Sequence, residues 1–329
     1  LFGINPDVDL DLMKPGQSPT AVAAKVLVAL EPLFAEHEPD WLVVQGDTTT
    51  VMAAALAGSY ARVPVAHLEA GLRTGDRSAP FPEEINRMVA GAVADLHLAP
   101  TASSRDALLR ENVDPSTVVV TGNTVVDALL WSKDQALDVP TESPLHRLDP
   151  NKSLIVLTAH RRESFGPPLE GALQAIAALA AERRGEIEIL YPVHPNPNVR
   201  SMAHQIFADA DNVVLCEPLD YLELVRALDA CTFVITDSGG IQEEAPALGK
   251  PVLVLRDVTE RPEAVDSGVA MLVGTDTELI ATMTRRLLDD PDTYAAMARG
   301  SSPYGDGQAA GRAVSAMLGE PVTPFTPAP

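Results

Sequence analysis

Short apolar runs alternate with amphipathic helical stretches along most of the chain, a pattern that predicts parallel sheets wrapped by helices. In the first part, the predicted strands are residues 41–45, 63–68, 95–98 and 117–121. The predicted helices there are residues 19–37, 49–60, 82–93 and 103–111. The first helix has a candidate N-cap in Ser18, followed by a proline at the first helical position.

A second series of alternating elements follows a polar, proline-containing stretch, residues 138–152, that we interpret as a linker. Its predicted strands are residues 154–158, 187–193, 213–216, 233–236, 252–255 and 271–273. Its predicted helices are residues 169–181, 199–208, 221–228, 277–288 and 308–318. The pattern therefore predicts an α/β protein with two Rossmann-like domains facing across a cleft, residues 1–140 and 141–302. The proline-rich end, residues 320–329, is expected to be disordered.

Composition narrows the function more than the fold. The 329 residues are 46% hydrophobic, enough for two sizeable cores, and the formal net charge is −22. Such a charge repels phosphate over long range, so we expect neither nucleic acid nor an anionic membrane as a partner. No apolar run reaches the length of a transmembrane helix. The two cysteines, Cys216 and Cys231, fit neither a disulfide framework nor a zinc site, which favours a reducing, cytoplasmic compartment.

Three carboxylates follow strands or begin a helix on the same side of the first predicted sheet: Asp47, Glu69 and Glu83. Each has a structural alternative. Asp47 or a neighbouring threonine could serve simply as the N-cap of the next helix. Glu69 could form a structural ion pair with Arg73, and a glutamate such as Glu83 is common in the first turn of a helix. The structural interpretation is favoured for Asp47 alone and is about even for Glu69. Because all three reach one edge, the cluster indicates general acid and base catalysis.

Two histidines end strands of the second predicted domain in the same manner. His160 is followed by two arginines, which makes this stretch a candidate anion contact, and His194 ends the next strand. A single histidine in such a position is more often a hydrogen-bonding partner than a catalyst. The two lie too far apart in sequence for a helical metal motif, so no metal is assigned.

An apolar strand runs into Ser238-Gly239-Gly240 and then a helix, an arrangement that lets a phosphate approach backbone N–H groups. The alternative is a tight turn without a ligand. Glu244 in the first turn is placed to accept hydrogen bonds from a ribose, and Arg261 adds a cationic group downstream. Neither a G-x-G-x-x-G signature nor a P-loop lysine pattern is present, which weakens NAD and ATP as cofactors.

Taken together, these motifs resemble the bacterial non-hydrolysing UDP-N-acetylglucosamine 2-epimerase family. The stretches that carry the resemblance, in the family's order, are GDTTT, HLEAGLRTGD, PFPEEINR, TGNTVVDALL, TAHRRESFG, YPVHPNPNVR, TDSGGIQEEAPALGKPVLVLRDVTERPEA and PYGDGQA. The resemblance implies a glycosyltransferase-B-like fold whose last helix, within residues 303–319, packs back on the N-terminal domain. It also implies an isomerase that interconverts UDP-GlcNAc and UDP-ManNAc without metal or nicotinamide cofactor, as a homodimer in cell-envelope polysaccharide biosynthesis.

The family's functional residues carry over to matching positions of this chain. The resemblance implies that Asp47, Glu69, Glu83 and His160 are catalytic. It implies that the UDP-sugar is bound by Arg87, Ser238, Gly239, Gly240, Glu244 and Arg261. A second UDP-GlcNAc, an allosteric activator in some bacterial members, would be bound by Gln17, Glu84, Arg161 and His194. Gly16 stands where some activated members carry an arginine.

One part of the family pattern has no match. Family members begin with a strand, a loop carrying Gly-Thr-Arg-Pro-Glu and a helix, a unit of roughly thirty residues or more. We expect that this unit is missing from the 329 residues and that the polypeptide alone is weakly active or inactive, and poorly stable at the exposed sheet edge. Two other functions stay open: a hydrolysing 2-epimerase that releases ManNAc, and a catalytically inactive UDP-sugar-binding protein. A glycosyltransferase of similar fold has no evident need for the three carboxylates.

Overall fold

A computed structural model describes residues 2–135, 139–160, 166–298 and 302–327. The chain forms two compact α/β units. Unit 1 comprises Leu1–Asp127 together with Tyr304–Thr326, and unit 2 comprises Ala128–Pro303 together with Pro327–Pro329. Within the described residues, none of the helices combines the length and the apolar character that a bilayer crossing requires.

Unit 1 is built on a parallel sheet in which each strand pairs with the next one along the chain, in the order β1-β2-β3-β4. The strands are β1 (Leu42–Gln45), β2 (Val65–Leu68), β3 (Leu96–Ala99) and β4 (Val118–Val120). The helices are α1 (Pro19–His37), α2 (Thr49–Ala61), α3 (Glu83–Val93), α4 (Ala102–Arg110), the 3₁₀ turn Pro115–Thr117, and α5 (Thr124–Asp134), which runs on into unit 2.

The boundaries of α1 follow from its local sequence. The hydroxyl of Ser18 accepts a hydrogen bond from the backbone N–H of Ala21, and Pro19 occupies the first turn. The helix ends at His37, and the next residue, Glu38, has a left-handed φ of 43° that breaks the helical repeat. The N-cap predicted at Ser18 is therefore confirmed.

Unit 2 contains a parallel sheet of order β10-β9-β8-β5-β6-β7. The strands are β5 (Ser153–Thr158), β6 (Ile187–Pro192), β7 (Val213–Cys216), β8 (Phe233–Thr236), β9 (Val252–Val254) and β10 (Ala270–Leu272). The helices are the 3₁₀ turn Pro144–Arg147, α6 (Pro167–Glu182), α7 (Pro197–Ile206), α8 (Tyr221–Ala230), α9 (Ile241–Ala247), α10 (Pro262–Asp266), α11 (Thr277–Asp289) and α12 (Pro291–Met297).

The strand order of unit 2 reverses between β5 and β8. From β5 the chain moves outward through β6 to β7, whereas from β8 it moves the other way through β9 to β10. Open parallel sheets bind ligands at such a switch point, beyond the carboxyl ends of the two strands. Both strands are rigid supports, since β8 is fully buried and the middle of β5, Leu154–Leu157, is buried as well.

The strands and helices predicted from periodicity are confirmed to within two residues at each end. The α/β class with two parallel sheets is confirmed as well. The helices α5, α10 and α12 are not among the elements that the pattern predicts.

The last helix, α13 (Ala309–Met317), belongs to unit 1. The carboxylate of Asp127 accepts the backbone N–H groups of Ala309 and Ala310, at 3.1 and 2.8 Å. At the other end of the helix, the indole N–H of Trp41 donates to the carbonyl of Met317 at 3.1 Å. Hydrogen bonds at both ends of α13 therefore hold this helix on the rest of unit 1.

The expected disorder of residues 320–329 is corrected by the structure for the part it describes, up to residue 327. Phe325 is buried, and its N–H donates to the carbonyl of Val120 at 2.8 Å. The guanidinium of Arg312 lies over the Phe325 ring, 5.7 Å from its centroid, and donates to the carbonyl of Thr323. The packing of this one aromatic ring therefore orders a segment that its proline-rich composition predicts to be disordered.

Candidate active site

In unit 1, the strands β1 and β2 deliver two carboxylates to one edge of the sheet. Gln45, the last residue of β1, pairs in register with Leu68, the last residue of β2, so Asp47 and Glu69 follow neighbouring strand ends. The amide nitrogen of Gln45 donates to a carboxylate oxygen of Glu69 at 2.9 Å. Glu69 has a φ of 62°, a left-handed conformation that a non-glycine residue adopts at a cost of about 1–3 kcal/mol.

Asp47 is held by Arg87 rather than by the helix that follows it. The Nε and Nη2 groups of Arg87 donate to one Asp47 carboxylate oxygen at 3.0 and 2.6 Å, and the side-chain amide of Asn86 donates to the Asp47 carbonyl. The N-cap of α2 is Thr48, whose hydroxyl accepts the N–H of Val51. The threonine therefore caps the helix, and the carboxylate of Asp47 is left for Arg87.

Glu84 and Arg87 form the buried part of this network. The Glu84 side chain is 2% exposed and accepts three hydrogen bonds, from the backbone N–H groups of Thr74 and Gly75 and from Nη1 of Arg87, at 3.0–3.1 Å. Arg87 therefore joins two carboxylates, Asp47 at the site and Glu84 in the interior. This arrangement fixes the loop from Arg73 onward against α3.

An ion pair between Glu69 and Arg73, one of the two sequence-based interpretations, does not form. Arg73 makes a two-pronged ion pair with Glu111 instead, with both nitrogen–oxygen distances at 2.8 Å. Glu111 lies 38 positions further along the chain, so no local pattern reveals it. Glu69 is left to Gln45, which the sequence analysis does not single out.

Glu83 is the first residue of α3 and lies one turn before Arg87 on the same helix. Its side chain is half-buried, and no described residue donates a hydrogen bond to its carboxylate. The three carboxylates thus differ in their surroundings. Asp47 contacts a guanidinium, Glu69 accepts a bond from an amide, and Glu83 has no donor among the described residues.

His67 supports this edge from inside the sheet. It is 1% exposed, and its Nε2 lies 2.8 Å from the carbonyl oxygen of Gly46. Burial lowers the pKa of His67 to about 4, so the ring is neutral at pH 7 and donates Nε2–H to that carbonyl. The loop that carries Asp47 therefore rests on a neutral buried imidazole.

In unit 2, His160 and Asp237 occupy the switch point between β5 and β8. The backbone N–H of His160 donates to Oδ2 of Asp237 at 2.7 Å, and Nδ1 of the His160 ring lies 2.9 Å from Oδ1. The Asp237 side chain is 1% exposed and that of His160 39%. The buried carboxylate thus holds a more exposed imidazole, and Asp237 has no role assigned by the sequence analysis.

His194 stacks on His160. The ring centroids are 6.0 Å apart, with an interplanar angle of 17°. Nδ1 of His194 accepts the backbone N–H of Asn196 at 3.2 Å, which orients the second ring. The two strand-end histidines are therefore neighbours in space.

The Ser238-Gly239-Gly240 turn leads directly into α9. The hydroxyl of Thr236 accepts the N–H of Ser238 at 2.9 Å, and the side-chain amide of Gln242 donates to the Ser238 carbonyl. Gly240 is exposed, and a Cβ there would meet only a carboxylate oxygen of Glu244, at 4.0 Å. The backbone at this turn is open to a close approach.

Glu244 lies in the first turn of α9 and is 6% exposed. Burial raises the pKa of the Glu244 carboxyl, and the nearby Tyr221 hydroxyl opposes that rise. Tyr221 begins α8, so a residue from another helix steadies the candidate ribose contact. Sequence reasoning offers no signal for Tyr221.

Arg261 is 11% exposed and lies among carboxylates. Its Nε donates to Glu243 at 2.7 Å, and its Nη1 lies 3.4 Å from Glu260, which also accepts a bond from Arg256. Burial alone would raise the pKa of Glu260, but Arg261 and Arg256 outweigh it and lower the pKa to about 2. The two guanidinium groups therefore face ionised partners at any physiological pH.

The four residues that the resemblance assigns to an allosteric site lie on different parts of the chain. Gln17 makes local bonds, donating to the Leu12 carbonyl at 3.0 Å and accepting the N–H of Lys14. Glu84 belongs to the buried network of unit 1, and His194 belongs to unit 2. Arg161 lies outside the described residues.

These features define the chain as an α/β protein of glycosyltransferase-B-like fold, with carboxylates at one sheet edge and a histidine-bearing switch point in the second sheet. A family model described as UDP-N-acetylglucosamine 2-epimerase matches residues 1–318. The chain belongs to this family of isomerases.

Three relatives illustrate the similarity. The UDP-N-acetylglucosamine 2-epimerase of Escherichia coli K12 is 49% identical over 96% of this chain and 85% of its own length. The crystal structure of the Neisseria meningitidis UDP-GlcNAc 2-epimerase bound to UDP-GlcNAc is 41% identical, with a TM-score of 0.89 over 96% of this chain and 86% of that chain. A Staphylococcus aureus structure with UDP is 40% identical, with a TM-score of 0.87 over 95% and 87%.

Proposed function

We propose that this protein catalyses the reversible C2 epimerisation of UDP-N-acetylglucosamine to UDP-N-acetylmannosamine by elimination and re-addition of UDP. The observation that carries the proposal is the set of three carboxylates at one edge of the unit 1 sheet: Asp47, Glu69 and Glu83. Inversion at C2 needs a base on one face of the sugar and an acid on the other, so more than one such group is required. Relatives named UDP-N-acetylglucosamine 2-epimerase, one of them solved with UDP-GlcNAc, and a similar structure solved with UDP support the choice of substrate.

The chemistry explains why UDP must leave. The C2 hydrogen is not next to a carbonyl, so direct removal by a carboxylate is slow. Breaking the C1–O bond sends its electron pair to the β-phosphate oxygen of UDP, and a carboxylate takes the C2 proton, leaving 2-acetamidoglucal. A proton then returns to C2 from the other face, and UDP adds again to C1. Atoms balance, and a closed site protects the unsaturated sugar from water.

In this proposal the residues of unit 2 hold the leaving group. Ser238, Gly239, Gly240 and Arg261 stabilise the diphosphate, Glu244 accepts hydrogen bonds from the ribose, and His160 exchanges a proton with the substrate. Each well-placed donor to the developing anion contributes about 3 kcal/mol or more. Arg87 keeps Asp47 in place beside the sugar.

The proposal extends to the setting of the enzyme. We place it in the cytoplasm as a homodimer that supplies cell-envelope polysaccharide biosynthesis, and the free thiols of Cys216 and Cys231 fit a reducing compartment. A second UDP-GlcNAc, bound through Gln17, Glu84, Arg161 and His194, would act as an activator.

Proton NMR of UDP-GlcNAc incubated with the protein in D₂O tests this function. Deuterium at C2 together with UDP-ManNAc is the expected result. Replacing Glu69→Gln should slow the exchange by about 10²–10⁴-fold. A matched control, Glu186→Gln, changes an exposed carboxylate in unit 2 and should leave the rate unchanged.

Two other results would redirect the assignment. Free ManNAc with UDP, in place of UDP-ManNAc, would establish a hydrolysing 2-epimerase. Binding of UDP without exchange of the C2 hydrogen would establish a UDP-sugar-binding protein and refute the proposed reaction.

A further inference from the structure

The contact between His160 and Asp237 has a specific geometry. One carboxylate binds a single residue twice: Oδ2 accepts the backbone N–H of His160 at 2.7 Å, and Oδ1 lies 2.9 Å from ring atom Nδ1. The bond to the backbone N–H fixes the position of the His160 main chain, and the contact with Nδ1 fixes the rotation of its ring. The stacked His194 ring restrains the remaining face.

The strands hold Asp237 itself in place. It follows β8, and its backbone N–H donates to the carbonyl of Thr158, the last residue of β5. The hydroxyls of Thr158 and Thr236 lie 2.6 Å apart across the same pair of strands. Because β5 and β8 are the central strands of the sheet, Asp237 is built into its most rigid part.

The chemistry of the pair decides the position of the ring proton. Nδ1 of His160 lies 2.9 Å from Oδ1, and because an ionised carboxylate only accepts hydrogen bonds, its charge favours a proton on Nδ1 over a lone pair there. Tyr191 on the adjacent strand β6 adds no competing charge, since burial and then the charge of Asp237 raise the pKa of its hydroxyl. Nε2, on the side of the ring away from this carboxylate, is therefore the nitrogen that keeps a lone pair in the neutral ring.

We propose that Asp237 is a positioning residue that fixes the Nδ1–H tautomer of His160 and so makes Nε2 the nitrogen that exchanges a proton with the ligand. When Nε2 accepts a proton, the ring becomes a cation paired with Asp237. When Nε2 gives the proton up, the ring returns to the neutral Nδ1–H form. The assignment of the tautomer rests on this geometry alone, whereas its role in turnover rests on the proposed epimerase function.

Nitrogen-15 NMR of the histidine side chains in the whole protein tests the tautomer directly. The His160 signals are assigned by their loss in His160→Gln, and the spectrum is recorded at a pH where the ring is neutral. The expected result is a protonated Nδ1 and an unprotonated Nε2. A protonated Nε2 in the wild-type protein would overturn the proposal, whether or not the protein shows any epimerase activity.

Asp237→Asn provides the functional arm. The asparagine keeps an acceptor for the backbone N–H of His160 but turns an NH₂ group toward Nδ1, which should drive the ring to the Nε2–H tautomer. We expect kcat for C2 exchange to fall by about 10²–10⁴-fold with a much smaller change in KM. A tautomer switch without a fall in kcat would refute the catalytic part.

Glu188→Gln is the matched control. Glu188 is another buried carboxylate in unit 2 that accepts a backbone N–H, from Asp149 at 2.7 Å. Its replacement removes the same charge elsewhere in the unit and should leave the His160 signals unchanged. If Glu188→Gln moved those signals as Asp237→Asn does, the effect would be a general loss of packing and the positioning role would be wrong.

Discussion

The buried guanidinium of Arg87 offers a test of how the unit 1 site is held together. Arg87→Met removes a side chain that is 4% exposed and makes two bonds to Asp47 and one to Glu84. Methionine fills much of the volume but neutralises neither carboxylate. Glu84, at 2% exposure, then keeps only its two backbone donors.

The size of the effect follows from burial. Breaking a buried ion pair by removing one partner costs about 3–5 kcal/mol. The carboxylate of Asp47 is 30% exposed and regains water, so its share is small and the estimate rests mainly on Glu84. We therefore expect Arg87→Met to lower the free energy of unfolding by about 3 kcal/mol.

Urea unfolding followed by circular dichroism measures this change. Arg105→Met serves as the control because its ion pair with Asp106 is exposed at both ends, and its loss should cost less than about 1 kcal/mol. The double variant Glu84→Gln with Arg87→Met removes the uncompensated charge as well. It should be more stable than Arg87→Met alone. A double variant that is less stable than the single one would refute the electrostatic explanation.

Two further predictions concern the same sheet edge. Gly71 and Gly75 have similar φ values, 89° and 80°, but an added Cβ would lie 2.2 Å from the Ser104 carbonyl oxygen at Gly71 and meet nothing within 4 Å at Gly75. Gly75→Ala should therefore lower the free energy of unfolding only through backbone strain, by about 1–2 kcal/mol. Gly71→Ala should lower it by about 1–3 kcal/mol more, because the added Cβ also clashes. Urea unfolding midpoints measure the difference, and equal midpoints for the two variants would contradict this explanation. Burial lowers the pKa of His67 from 6.5 to about 4, so the folded state resists protonation of this ring. The free energy of unfolding should therefore fall as the pH drops from about 6.5 to 4, by roughly 3 kcal/mol at 1.36 kcal/mol per pH unit. His67→Gln should flatten this part of the stability profile relative to the wild type, and an unchanged slope would show that another group is responsible.

Local signals explain why the elements were predictable. Ser18 and Pro19 mark the start of α1, and the strands β5, β6, β8 and β9 stand out as apolar runs because both of their faces are buried. The same logic places Asp47, Glu69 and His160 at strand ends. Hydrophobic periodicity is read from neighbouring residues, so it predicts a helix or strand correctly wherever local sequence determines that element.

The contacts inside the site were not predictable for the opposite reason. Arg73 has a carboxylate four positions earlier, Glu69, yet it pairs with Glu111 on the far end of α4. The partner of His160 is Asp237, 77 positions away, and Phe325 finds its place on Val120. Such choices depend on which strands the fold brings side by side, and no sequence window contains that information.

The path of the chain sets an order for folding during synthesis. The sequence leaves unit 1 at Asp127 and returns at Tyr304, where the Tyr304 carbonyl accepts the N–H of Asn123. Ala128–Pro303, which is all of unit 2 except three terminal residues, is thus one uninterrupted insertion that is available for folding once the ribosome has released Pro303. Unit 1 starts earlier but must wait for α13 and Phe325, so the half of the protein that is translated first is completed last.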